Sequence, residues 1–431
     1  MSLLIRNGRI VDPLANTDEI LDILIENGKI VKKSKNIRKK SDTEVLDASN
    51  LIVSPGFIDM HVHFREPGEE YKEDIESGTS SAVAGGFTAV ACMANTDPVN
   101  DSSSITERIL KKSREAGACK VYPIGAVSVG LQGEKLSELS DQNSAGAIAF
   151  SDDGFPIKDS FMMRSALEYS KMLGTTILDH AEDLSLSKDR VMHEGVVSTS
   201  LGLSANPDAS EDICVYRDLR LAELTGGKLH ILHVSSKGAV ELIRNAKKKG
   251  VNVTCEVTPH HFSLTDEEIR GFNSSCKMAP PLRDEEHRIA LIEGLKDGTI
   301  DVIASDHAPH DQADLEVEFD RVPFGVVGLE TAVPIALDRL VHKGVLTLSD
   351  MIAKFTLGPS RAIGIPCHKI EEGSLADLTI LDLEKKYTVI PDNFKSRSKN
   401  TPFSGWELKG CPVATIVNGE FAMKNVGNEK C

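Results

Sequence analysis

The feature that most restricts the fold is a rhythm of short apolar runs that end in polar residues, each followed by sequence of helical character. FIDMHVH, TAVACMAN, VYPIGAVS, AIAFSDD, TTILDHAED, LHILHVSS, NVTCEVTPHH and DVIASDHAPH succeed one another between residues 57 and 310. Between them lie SITERILKKSREAG, SFMMRSALEYSKMLG, VELIRNAKKKG and EHRIALIEGLKDG, several of which finish in basic residues and glycine, a helix-stop pattern. Strands alternating with helices predict an α/β fold with a parallel sheet. Eight units predict a (β/α)8 TIM-like barrel over residues 54–367. A doubly wound open sheet is the competing topology, and no GxGxxG turn supports it.

The two ends have another texture. SLLIRNGRIVD, LDILIENGKIVKK and TEVLDASNLIV are alternating runs separated by Asn-Gly and polar turns, and ADLTILDLEKKYTV and PVATIVNGEF repeat that pattern near the C-terminus. We expect one small composite β-sandwich domain built from residues 1–53 and 368–431. A chain of 431 residues suits one large and one smaller domain. The basic stretch KKSKNIRKK reads as a solvated loop or edge.

Hydrophobic residues at 40% and charged residues at 26% are ordinary for a soluble globular protein. No signal-peptide pattern opens the sequence, and no apolar run approaches the roughly 18 residues that span a bilayer. A cytoplasmic protein without a membrane segment is expected. A net charge of −16 argues against nucleic acid or an anionic membrane as partner, since both repel an acidic surface. The eight scattered cysteines predict buried reduced thiols rather than a disulfide framework or a Cys-type zinc site.

Polar residues gather at the C-terminal strand ends, the face that carries active sites in such barrels. His61 and His63, two apart, point to one side of a strand and make half a divalent metal site. Strand four ends in Asp152-Asp153, which face opposite ways, and the pattern alone does not choose between them. Strand five supplies His180 and strand eight Asp306. On strand six, His233 is nearer the C-terminal end than His230, which faces away. Four imidazoles and two carboxylates from five strands fit a binuclear centre of nitrogen and oxygen donors, with zinc as the default ion. His260 and His261 read as supporting or packing residues, and His193, His287, His342 and His368 as ordinary ones. Arg65, two beyond His63, can offer a forked donor pair to a substrate carboxylate. Its structural alternative is an ion pair with Glu66.

The segment GFIDMHVHFREPG closely resembles the first signature of dihydroorotases, and ASDHAPH their second. MANTDP, FSDDG, DHAED and PPLR at 280–283 resemble further blocks in the same order. The paired β-rich ends resemble the composite domain of the wider amidohydrolase superfamily. The resemblance implies reversible zinc-dependent cyclisation of N-carbamoyl-L-aspartate to (S)-dihydroorotate and water, in de novo pyrimidine (UMP) biosynthesis. It implies one or two zinc ions in a binuclear centre, the first held by His61, His63, Asp153 and Asp306, the second by Asp153, His180 and His233. Asp306 would carry the catalytic proton. Substrate contacts would come from His63, Arg65, Asn95, His310 and the backbone of Phe324 and Gly325, with DQADLEVEFDRVP before them as a loop over the mouth.

Many relatives bridge their metals with a carboxylated lysine on strand four. AIAFSDD has none, and Asp153 matches the branch that uses aspartate. Ala279 stands where the family usually has Asn, and Ala94 where Pro is usual. Two other readings compete: another cyclic amide hydrolase of allantoinase or hydantoinase type, and a non-catalytic dihydroorotase-like subunit that supports aspartate transcarbamoylase. The expected partners are a small anionic substrate, a second copy of the chain in a homo-oligomer, and aspartate transcarbamoylase as a candidate partner subunit.

Overall fold

A computed structural model describes residues 2–426. Eight strands form its centre: β1 (Phe57–Val62), β2 (Phe87–Cys92), β3 (Lys120–Pro123), β4 (Phe150–Ser151), β5 (Ile177–Asp179), β6 (Leu229–Ile231), β7 (Val253–Val257) and β8 (Val302–Ile303). The strand pairings are all parallel. Two bridges complete the ring, Gly125 to Phe150 between β3 and β4, and Val62 to His307 between β8 and β1. The sheet is therefore a closed (β/α)8 barrel, and the open-sheet alternative falls.

Closure follows from where the apolar side chains go. Ile58, Met60, Ala91, Leu178, Leu232 and Val302 fill the barrel axis, while a larger cluster packs the outer strand faces against the helices. The helices begin and end on local signals. Asp159 accepts from the Met162 N–H at the start of the helix Ser160–Leu173, and left-handed Gly174 ends it. Asp284 caps the helix Glu285–Lys296 in the same way.

The two ends of the chain meet in one eight-stranded sheet. Its strand Ile52–Pro55 pairs parallel with Ser2–Asp12 and antiparallel with Leu378–Thr388. Ile5, Ile10, Ile23, Val53, Leu378 and Ile416 give that sheet a core of its own. Gly56 alone separates Ile52–Pro55 from β1, and a Cβ there would stand 2.2 Å from Thr88 Oγ1. The joint needs glycine, and through it the sheet anchors the strand that carries His61 and His63.

Among the described residues no helix is long and apolar enough to cross a membrane. Six cysteines are free thiols, five of them buried, as expected. Cys411 departs from that expectation, being disulfide-bonded, and Cys431 lies outside the described residues.

Candidate metal centre and substrate cavity

At the barrel mouth the Asp153 carboxylate stands between two sets of donors. Its Oδ2 lies 3.3 Å from His61 Nε2 and 3.2 Å from His63 Nε2. The same two nitrogens lie 3.4 and 3.3 Å from Asp306 Oδ1. Its Oδ1 lies 3.3 Å from His233 Nε2 and 3.5 Å from His180 Nδ1, and those two ring nitrogens are 3.0 Å apart. Asp152 turns the other way, where its Oδ1 accepts from the Val127 and Ser128 N–H groups.

These spacings suit a cation. A tetrahedral site with metal–nitrogen bonds of about 2.0–2.1 Å has ligand–ligand edges of roughly 3.3–3.4 Å. Asp153 Oδ1 is buried without a hydrogen-bond partner, although two ring nitrogens face it. A buried, unsatisfied carboxylate oxygen is costly unless something else binds it.

The far sides of three of the four rings face an acceptor, whereas His233 Nδ1 is buried without a partner. His61 Nδ1 donates to Glu256 Oε1 at 2.6 Å, and His63 Nδ1 to Asn95 Oδ1 at 2.8 Å. His180 Nε2 faces Glu182 Oε2 at 3.6 Å. The acceptors Glu256 and Asn95 orient the His61 and His63 rings so that Nε2 of each points inward, the orientation a metal ligand requires. Glu256 also accepts from His230 Nε2 at 3.2 Å, so His230 supports the centre from behind.

The charges agree. Burial alone would raise the Asp153 and Asp306 carboxyls, but His61 and the neighbouring imidazoles hold both well below the usual carboxylate range. Burial likewise opposes charge on His180, yet Asp153 and Glu182 lift it to about 10. Glu256 is held at about 2 by His61 and His230 against its burial. By contrast, burial pushes Asp59, which accepts from the His61 and Ser305 N–H groups, up to about 7. Backbone strain also concentrates here: Arg65, His233 and Asp306 have φ of 55°, 29° and 47°, a region that non-glycine residues rarely occupy.

A cavity of about 810 Å³ opens above the cluster, and His63, Arg65, Asn95, His310, Phe324 and Gly325 all line it. Arg65 reaches it by a route the strand-parity argument did not foresee. Strand β1 ends at Val62, and the left-handed turn at Arg65, not alternation, aims the side chain. Its Nε donates to the Pro309 carbonyl at 3.3 Å. No acid lies within ion-pair distance of it among the described residues, so both terminal nitrogens remain for a ligand. Asn95 spends its oxygen on His63 and keeps its amide N–H groups.

His310 Nε2 donates to the Phe324 carbonyl at 2.7 Å, and its Nδ1 is buried without a partner. Burial and Arg65 lower this ring to about 3, so the ring is neutral and Nδ1 is a buried acceptor. Donation to a carboxylate from there needs the imidazolium or a flipped ring. The Gly325 N–H is committed to the Lys277 carbonyl at 3.0 Å. A Cβ on Gly325, at φ +137°, would meet Ala308 Cβ at 2.6 Å, so only glycine fits. Ala279 lines the same wall and offers no polar group.

The family profile described as "Dihydro-orotase-like" matches residues 50–239. The dihydroorotase of Geobacter metallireducens is 51% identical over 424 residues, 98% of this chain and 100% of its own length. That of Pelotomaculum thermopropionicum is 51% identical over 425 residues, 99% of each. The chain belongs to the dihydroorotase family. Its scaffold is shared more widely. L-hydantoinase (dihydropyrimidinase) from Arthrobacter aurescens superposes with a TM-score of 0.89 at 27% identity, covering 98% of this chain and 96% of that one. A D-hydantoinase gives 0.85 at 26%, covering 100% and 96%. The chain is thus a dihydroorotase-family enzyme, a cyclic amidohydrolase with the group's barrel and β-sandwich and with clustered His and Asp residues suited to a divalent metal.

Residues that the sequence reading passed over include Glu256, Glu182 and Lys277. Glu256 carried a signal, a lone acid inside the apolar run NVTCEV. Lys277 is buried, and its Nζ donates to the carbonyls of Phe319 and Asp320 at 2.8 and 3.0 Å. It thereby ties the loop 311–323 to the cavity wall.

Proposed function

We propose that this chain is a zinc-dependent dihydroorotase that interconverts N-carbamoyl-L-aspartate and (S)-dihydroorotate plus water in the cytoplasmic pathway to UMP, with 54–367 as the catalytic unit and 1–53 with 368–431 as its support. The observation that carries this reading is the Asp153 carboxylate, with one oxygen toward each donor set, beneath a cavity into which Arg65 opens. His61, His63, Asp153 and Asp306 would hold one zinc, and Asp153, His180 and His233 a second. Zinc so held supplies the positive charge that acidifies a water and polarises the ring amide carbonyl.

The chain's own residues do the rest. Arg65 and the Asn95 amide bind the ring carboxylate, which fixes the amide carbon over Asp306. Asp306 is ionised and touches the cavity, so it can take the proton of the attacking water. The carbon–nitrogen bond breaks, and the leaving nitrogen recovers that proton from Asp306. In the opposite direction the ureido nitrogen gives its proton to Asp306, the ring closes, and water departs.

The hydantoinase reading is supported by the shared scaffold, whereas Arg65 with Asn95 favours a substrate that carries a carboxylate. Zinc-replete protein assayed on dihydroorotate, hydantoin and allantoin should turn over only dihydroorotate, and chelators should abolish that activity. The assay is run with and without an aspartate transcarbamoylase subunit, because a homo-oligomer alone and a complex with that partner are both compatible with this site. Failure on dihydroorotate in both arms overturns the reading.

A further inference from the structure

In the composite sheet the strands Leu378–Thr388 and Glu407–Val417 pair antiparallel right up to Thr388 and Glu407. A tight hairpin of about 2–5 residues could therefore join them. Residues 389–406 join them instead, with one short 3-10 turn, Pro391–Asn393, as their only regular structure. A connection of that length inside a compact fold is uncommon unless it serves a function. This one leaves the sheet and reaches the barrel mouth.

There it is bound to both pieces of chain that flank Arg65. One is the stretch that follows Arg65 in sequence. The Arg397 N–H donates to Glu73 Oε1 at 3.2 Å, Arg397 Nη1 to the Glu70 carbonyl at 3.0 Å, and Ser398 Oγ to the Lys72 carbonyl at 2.8 Å. The other is the stretch beyond β8. Asn400 Nδ2 donates to the carbonyls of Ala308 at 3.1 Å and Gly325 at 3.0 Å, while Asn400 Oδ1 accepts from the His310 N–H at 3.2 Å. The Asn400 carbonyl accepts from the Val327 N–H at 2.8 Å. Asn400 is buried, and it is not one of the residues that line the cavity.

These contacts converge on Arg65. Pro309 lies between two residues that Asn400 holds, and its carbonyl accepts from Arg65 Nε. That bond sets the direction of the guanidinium. The same amide ties His310 to Gly325, so the two sides of the wall keep one spacing. To do this a single planar group must offer two donors and one acceptor, which among side chains of this length only asparagine does. We infer that Asn400 is a positioning residue for the substrate carboxylate: through the Pro309 carbonyl it keeps Arg65 in register with His310 and Gly325. The inference rests on the dihydroorotase reading, and it makes the loop 389–406 a working part of the site, although it lies outside 54–367 in sequence.

Steady-state kinetics of the full, zinc-loaded chain on dihydroorotate test this through a double-variant cycle. Asn400→Ala should lower kcat/KM by about 10–100-fold, most of it through KM, because a guanidinium displaced by about 1 Å grips the carboxylate poorly. With Arg65→Ala already in place, the same change should cost less than about threefold, since residues that act through one another are not additive. Zinc content per chain should stay at the wild-type level throughout. Asn400→Ser keeps one donor and should fall between the wild type and Asn400→Ala, and it takes the place of the alanine variant in the cycle if that chain does not fold. Should Arg65→Ala abolish turnover, the cycle is read in the calorimetric affinity for orotate, which carries the same carboxylate. Losses that multiply in the double variant, or a fall confined to kcat, overturn the assignment while the wild type remains a dihydroorotase. A wild type that does not turn over dihydroorotate overturns both the assignment and the reading beneath it.

Discussion

Two clusters of histidine and acid look alike in outline: the group around Asp153 at the barrel mouth, and His193, Asp284 and His287 farther out. What separates them is the partner of each ring's other nitrogen. At the mouth, Glu256 and the Asn95 oxygen accept the protons of His61 and His63, and Nε2 of each points inward. In the outer cluster the partners are donors. Arg283 Nη1 donates to His193 Nδ1 at 3.3 Å, and the Lys237 backbone N–H donates to His287 Nδ1 at 2.9 Å. Both Nε2 atoms must then carry hydrogen, and they face Asp284 at 4.0 Å and Asp208 at 3.6 Å. The first cluster can take a cation, whereas in the second the Nδ1 lone pairs are already spent on the Arg283 and Lys237 donors. Proximity of ligating residue types does not make a metal site, because the group behind each imidazole decides the matter.

The sharpest break of this comparison is by substitution on each side. His61→Ala should reduce metal content to background and turnover to the limit of detection, whereas His193→Gln with His287→Gln should leave both at wild-type level. Elemental analysis of the purified proteins checks this, and metal lost from the outer variant would refute the tautomer argument. Next in size is Asp306→Asn, which removes the proposed proton carrier. We expect kcat to fall by about 10²–10⁴ with a much smaller change in KM, and equal losses in both would speak against that role. Smaller again is Glu256→Gln, which keeps the shape but weakens the acceptor behind His61. Chelator competition should show zinc held about 10–100-fold less tightly.

Sequence made the barrel legible because its signal is repeated eight times, and the strand-end residues because a barrel aims all its strand ends at one mouth. His61, His63, His180, His233 and Asp306 could be named from that rule alone. Asp153 could not be told from Asp152 by pattern, since neighbours on a strand face opposite ways and only the register decides. Arg65 reached the cavity through a left-handed turn that no periodicity announces. Glu256 and Lys277 were missed for a different reason. Their roles depend on what lies across space, the ring behind which Glu256 stands or the loop carbonyls that Lys277 holds, and such pairings are set by tertiary packing.

The least of the expected effects concerns pH, and it turns on the sign of the histidine shifts in the two clusters. Burial opposes charge in both. At the mouth the carboxylates win and lift His180 to about 10 in the metal-free chain, so the stability it contributes is complete below about 6.5 and fades as pH rises toward 10. In the outer cluster burial, Arg283 and His287 outweigh Asp284 and Asp208, and His193 falls from 6.5 to about 4. The folded ring stays neutral where the unfolded one takes a proton, so stability is lost as pH falls from about 6.5 to 4 and is unaffected above. The shift corresponds to at most about 3 kcal/mol. Thermal unfolding of the wild type and of His193→Gln should therefore differ in slope between pH 7 and 5, with the variant losing less on acidification. Parallel slopes would mean that Arg283 does not hold His193 neutral, and the donor that excludes a metal from that cluster would lose its support.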